Sequence, residues 1–75
     1  MGRNTKILDG ASINDIEEGV SYNYYGYTRS EGSWIIMRTN TAQTVLRYDV
    51  GGSDYATAWA GRAGLNYQTS DSFKY

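Results

Sequence analysis

Seventy-five residues without a single cysteine or histidine leave a chain few ways to hold itself together. A domain this small buries only about 60% of the surface its unfolded chain exposes, so its stability margin is thin. Many such chains are stapled by disulfides or a structural metal, and here the usual ligands for both are missing. What remains is tight packing, or burial against other copies or other proteins, and we read the sequence as favouring the second. The same absence removes the common nucleophile–base pairs of covalent catalysis and any thiol redox role. The length allows one domain, and no enzyme is expected.

Charge narrows the partners. Seven basic and eight acidic residues give a net charge of −1. The basic ones (Arg3, Lys6, Arg29, Arg38, Arg47, Arg62 and Lys74) never cluster. A nucleic-acid binder neutralises several phosphates from one patch, so no nucleic-acid partner is expected. No apolar stretch approaches the ~20 residues of a membrane span. Ile7-Leu8 is followed at once by Asp9-Gly10, which does not read as a signal peptide. Neither a membrane nor a cofactor is expected.

Eight Tyr, two Trp, one Phe, nine Gly and no Pro suit short strands with amphipathic rings at surfaces or interfaces. Residues 1–19 fit no period well. Asn14-Asp15-Ile16-Glu17 has the form of a capping box, but Gly19 would stop a helix after one turn. They read as an arm ordered by a neighbour. From Val20 the apolar residues alternate through Tyr22 and Tyr24, the mark of a half-buried strand. Gly26 then shifts the aromatic face by one residue, which suggests a bulge or a close approach. A turn at 29–32 precedes Trp34-Ile35-Ile36-Met37, apolar on both faces and so a central strand. After a turn at 40–43, residues 44–50 form a third strand, with Val45, Arg47 and Asp49 on one face and Leu46, Tyr48 and Val50 on the other.

Ser53 or Asp54 should cap a helix carrying Tyr55 and Trp59 on one face, with Gly64 as its left-handed stop. Leu65-Asn66-Tyr67 reads as a last short strand. The predicted fold is therefore mainly β: a small antiparallel meander of three to four strands, one short helix packed on it and an extended N-terminal arm. Its parts are the arm (1–19), the meander-plus-helix domain (20–67) and a polar C-terminal tail (68–75).

Chemistry-bearing patterns are sparse. Asp49 and Asp54 flank a Gly-rich turn, but their spacing is not that of a calcium loop, and one cap and one exposed strand residue account for them. Gly51-Gly52-Ser53 lacks the Lys-Ser/Thr of a phosphate-binding loop. Glu17-Glu18 reads as a solvated charge pair. The strongest candidate is the run Tyr22, Tyr24, Tyr25 and Tyr27, which strand alternation divides between two faces. Rings on both faces are typical of protein interfaces and of sugar platforms, and equally of a core built of Tyr. With Ile7, Leu8 and Ile13 of the arm, these four are the candidate interface. Arg38 and Arg47 should stack on rings or pair with acids.

Several fragments then recur in a fixed order: Tyr25-Gly26-Tyr27, Trp34-Ile35-Ile36-Met37-Arg38, Tyr48 with Gly51, Tyr55 with Trp59 and Arg62, and Leu65-Asn66-Tyr67. This pattern resembles a group of short, mostly uncharacterised proteins encoded by tailed bacteriophages. It covers a little over half the chain. Gly61 departs from it, standing where an Asn or Asp commonly precedes the Arg. The resemblance implies a virion component, made in the host cytoplasm, whose repeated motif is mainly a folding core: Trp34, Ile36, Tyr48, Tyr55, Trp59, Arg62, Leu65 and Tyr67.

Two functions are expected from this. One is a non-enzymatic structural protein that decorates or cements the capsid, partnered by itself and by other virion proteins. The alternative is a tail, fibre or collar component whose exposed aromatics bind host-surface glycans. Trp59→Ala is expected to unfold or insolubilise the domain, since truncating a buried Trp costs ~3–5 kcal/mol against a thin margin. Thermal denaturation checks this, and an unchanged midpoint would assign Trp59 to a binding surface.

Overall fold

A computed structural model describes Leu8 and residues 10–69. Four strands follow one another in a single antiparallel sheet: β1 (Ala11–Glu18), β2 (Tyr22–Arg29), β3 (Trp34–Asn40) and β4 (Leu46–Gly51). A helix, α1 (Tyr55–Ala60), and a 3-10 turn at Arg62–Gly64 complete the described chain. The meander with one short helix is thus as the sequence predicts, with four strands.

Local chemistry makes the turns. Between β2 and β3, the Gly32 N–H donates to the Arg29 carbonyl (2.9 Å) and the Arg29 N–H to that of Ser33 (2.9 Å). Gly32 sits at φ 105°, a conformation that L side chains rarely adopt. Between β3 and β4, the Asn40 Oδ1 accepts from the backbone N–H groups of Thr44 (2.8 Å) and Val45 (3.0 Å). An Asn carboxamide substituting for a backbone acceptor is a turn device. It delays β4 to Leu46, two residues later than the alternation at 44–50 suggests.

The N-terminal arm needs correction. Residues 11–18 are the first strand, paired with β2 from Ala11↔Arg29 to Glu18↔Asn23. The register shifts between Ile13 and Asp15, so Asn14 is an extra residue, a bulge. Ile13 and Ile16 therefore lie on the same face although they are three apart, which is why neither period fitted them. The irregularity expected at Gly26 belongs to the strand opposite it.

Alternation and register fix the faces. One carries Glu17, Tyr24, Arg38 and Arg47 in one cross-strand row, and Asp15, Gly26, Ile36 and Asp49 in the next. This face is covered by α1 through a cluster of Trp34, Ile36 and Ala58, with Tyr24, Tyr55, Trp59, Leu65 and Tyr67 packed around it. The opposite face centres on Ile35 and Tyr48, against Leu8, Ala11, Tyr27, Met37, Leu46 and Val50. Tyr48, expected in one folding core with Trp34, Ile36 and Trp59, belongs instead to this second cluster, because β4 alternation sends it out with Leu46 and Val50. β3 is the inner strand buried on both sides: Ile35 and Ile36 are both 0% exposed.

Six residues are too few for a helix to stand on propensity, so α1 is held by what it packs on. Its start at Asp54 has φ 64° and no side-chain cap, against the expectation for Ser53 or Asp54. The anchor is instead the Trp34 indole N–H, which donates to the Ser53 carbonyl at 2.7 Å. The helix stops at Gly61 (φ −101°), and Gly64 is part of the following 3-10 turn rather than a left-handed cap. No strand forms at 65–67; instead Gln68 makes an isolated bridge to Tyr48, with hydrogen bonds of 2.7 and 2.8 Å. The predicted tail thus begins on the sheet, and its end lies outside the described residues.

Gly26 lets the helix approach. A Cβ there would run into the Tyr55 hydroxyl, and would lie 2.8 Å from the Tyr55 Cζ and 2.9 Å from the Trp59 Cε3. Gly26→Ala is expected to cost about 1–3 kcal/mol through overpacking, visible as a lowered melting temperature with β2 still paired. An unchanged midpoint would mean that α1 does not rest on the sheet at this point.

Candidate functional site

The Tyr run divides as strand geometry requires. Tyr22 and Tyr24 face the helix side, and Tyr25 and Tyr27 the other. On the helix side, rings and guanidinium groups interleave. The Arg62 guanidinium lies 4.5 Å from the Trp59 ring and 5.8 Å from that of Tyr24. Tyr24 is 6.1 Å from Tyr67 and 6.4 Å from Tyr22. The Arg38 guanidinium sits between the rings of Tyr22 (4.5 Å) and Tyr67 (4.6 Å). Each such contact draws a cation to the negative face of a ring. Arg38 therefore stacks as expected, while Arg47 donates from Nη1 to the Leu46 carbonyl at 2.9 Å.

Arg62 ties three elements together. Its Nε donates to Glu17 of β1 (2.8 Å) and its Nη1 to the Trp59 carbonyl (2.7 Å), while its own carbonyl accepts from the Tyr67 hydroxyl (2.8 Å). The hydrogen bond from Arg62 holds the Glu17 carboxyl below its ordinary pKa and raises that of Arg62. At a surface this ion pair contributes little by itself; its worth lies in orienting the guanidinium over Trp59. A second tie crosses the sheet where the Tyr55 hydroxyl donates to the Asp15 carboxylate at 2.7 Å, next to the bulge.

The candidate interface residues therefore part company. Tyr24 and Tyr27 belong to the two core clusters and Leu8 packs on the second. Tyr25 is half-buried and accepts a hydrogen bond from Gln43 (3.1 Å). Tyr22 and Ile13 are 43% and 48% exposed. Ile7 lies outside the described residues. The sequence reading missed Ile16, 58% exposed, and Val20, 98% exposed. An Ile every third residue beside a Gly-shifted partner strand was the signal for the first. Of the candidate core, Trp34, Ile36, Tyr55, Trp59, Leu65 and Tyr67 share the helix-side cluster, Arg62 borders it, and Tyr48 lies opposite.

Among the described residues no three His, Cys, Asp or Glu side chains are grouped so as to hold a metal ion. The Asp49 Oδ1 accepts from the Val50 N–H at 2.9 Å. Among the same residues no helix is long and apolar enough to cross a membrane. No protein-family model, no curated protein and no solved structure matches the chain.

Two hydroxyls are electrostatically distinctive. Burial, then the hydrogen bond to Asp15 and its charge, push the Tyr55 pKa far up. Burial, then the neighbouring Tyr24, do the same for Tyr67. Both keep their protons in the folded chain well above pH 10, where an unfolded tyrosine ionises. The stability they contribute is thus complete below about pH 10 and is lost as the pH rises beyond it. Tyr55→Phe is expected to cost about 1.5–3 kcal/mol at neutral pH, the value of a hydrogen bond to a charged group. It should also flatten the alkaline decline, as Tyr67→Phe should. Melting temperatures between neutral pH and strongly alkaline buffer check both, and a wild-type curve without alkaline decline would contradict the assignment.

Proposed function

We propose that this chain is a non-enzymatic structural component of a tailed-bacteriophage particle, a decoration or cement protein of the capsid. The observation that carries the assembly reading is β1. It is the outer strand of the sheet at one side, with no strand beyond it among the described residues. It also exposes Ile13 and Ile16 on the face away from the helix. Sheet edges are ordinarily protected, and apolar side chains along an open edge mark surfaces that another chain covers. The resemblance of the aromatic pattern to short phage proteins is what points to such a particle. The chain would be made in the host cytoplasm and taken up into the virion, with further copies of itself and other virion proteins as partners. The evenly spread charge argues against nucleic acid, and no cofactor is invoked.

A place in the tail, fibre or collar with glycan binding is the second reading, favoured by the exposed Tyr22 ring. Copy number in purified particles separates the two: one matching the capsid lattice supports decoration, and one matching a single tail ring supports the alternative. Absence from particles would overturn both. The sequence reading held that residues 1–19 are an arm ordered by a neighbour. Since 11–18 are β1, the sharper variant is the pair Ile13→Lys and Ile16→Lys. We expect it to stay folded, because both side chains are exposed, and to be lost from particles in quantitative mass spectrometry. Normal loading would remove β1 from the interface.

A further inference from the structure

Arg38 and Arg47 are register partners on β3 and β4, so both side chains rise from the same face at neighbouring positions. Like charges directly opposite one another destabilise a sheet. Among the described residues no carboxylate forms an ion pair with either arginine. Among the described residues the one ion pair is Arg62 with Glu17. Asp15 accepts from Tyr55, and Asp49 from its neighbour's N–H. The Arg38 guanidinium carbon lies 4.5 and 4.6 Å from the ring centroids of Tyr22 and Tyr67. Arg38 makes no hydrogen bond to a described residue, and Arg47 makes one, to a backbone carbonyl. Two neighbouring guanidinium groups with donors to spare are a chemistry that receives an oxyanion.

The surroundings specify the carrier of that anion. The row holding Arg38 and Arg47 lies toward the end of the sheet formed by the β1–β2 and β3–β4 turns, whereas α1 covers Gly26 and Trp34 toward the other end. The two turns expose Val20 (98%) and Val45 (44%), and Tyr22 is 43% exposed beside them. We propose that this end of the sheet docks a segment of a different protein, one that bears carboxylates flanked by apolar side chains. Arg38 and Arg47 take the carboxylate, and Val20, Val45 and Tyr22 take the apolar flanks. A saccharide acid fits less well, because Arg38 takes up part of the Tyr22 ring and leaves a smaller platform than a free tyrosine would offer. A second copy fits less well too: of the described acidic residues, only Glu18 and Asp54 have no side-chain partner among the described residues.

The assembly reading enters only in taking the partner to be another particle protein. The test uses the isolated full chain, so its failure would leave loading onto particles untouched. The 15N-labelled chain is titrated with an acetylated peptide of alternating Glu and Leu, with its Lys–Leu counterpart and with sodium glucuronate. The Glu–Leu peptide should shift the side-chain Nε–H signals of Arg38 and Arg47 and the amides of Val20, Tyr22 and Val45. The shifts should weaken as salt is raised. Arg47→Gln should weaken binding about tenfold, the scale of one charge-assisted hydrogen bond. Arg38→Lys, which keeps the charge and loses the fork, should weaken it as well, with far-UV circular dichroism unchanged in both. Unmoved arginine signals, or an equal response to the Lys–Leu peptide, would overturn the proposal. Glucuronate binding as tightly at the same signals would reassign the site to a saccharide. Arginine shifts that follow protein concentration alone would reassign it to a second copy.

Discussion

Gly26 is the position on which the rest of the molecule leans. Because it has no side chain, the rings of Tyr55 and Trp59 settle directly against β2. That contact compensates for a helix too short to persist by itself. It also sets where the Tyr55 hydroxyl ends, within reach of Asp15 on the bulged stretch of β1. A single missing methyl group thereby links the helix, the second strand and the edge strand. Gly51 repeats the arrangement on β4, where a Cβ would run into the Trp34 indole. The helix-side core is thus two large aromatic surfaces, each seated on a glycine.

The elements with regular patterns were legible in the sequence. Tyr22 to Tyr27, Trp34 to Met37 and the spacing of Tyr55 and Trp59 announced β2, β3 and α1, because burial on a fixed period leaves a fixed period in the residues. β1 was not legible. One extra residue at Asn14 moves Ile16 back to the face of Ile13, and a period-two search sees noise. The helix cap misled for a different reason: Asp54 has the right chemistry, but its left-handed backbone turns the side chain away from the role. Tyr48 misled because alternation along β4 places it on one of two buried faces without saying which face the helix will choose.

The candidate surface was legible as a composition and not as a map. Eight tyrosines signal amphipathic surface, yet Tyr24, Tyr27, Tyr48, Tyr55 and Tyr67 are taken up by the two clusters. A tyrosine count says how much ring area exists, and only register says which rings meet. The arginines show the same dependence. Arg38 and Arg47 are nine positions apart in sequence and become neighbours only through the β3–β4 hairpin.

The order of the strands carries a kinetic consequence. Each strand pairs with the one made just before it, so the sheet grows through short loop closures, and local contacts of this kind form early and fast. The ties that fasten β1 to the helix region span far more chain: Tyr55 reaches Asp15 across 40 residues, and Arg62 reaches Glu17 across 45. On a ribosome, which delivers the N-terminus first, β1 would wait, held by β2 alone, until the helix had emerged. The last well-packed element to be synthesised is the one that locks the first.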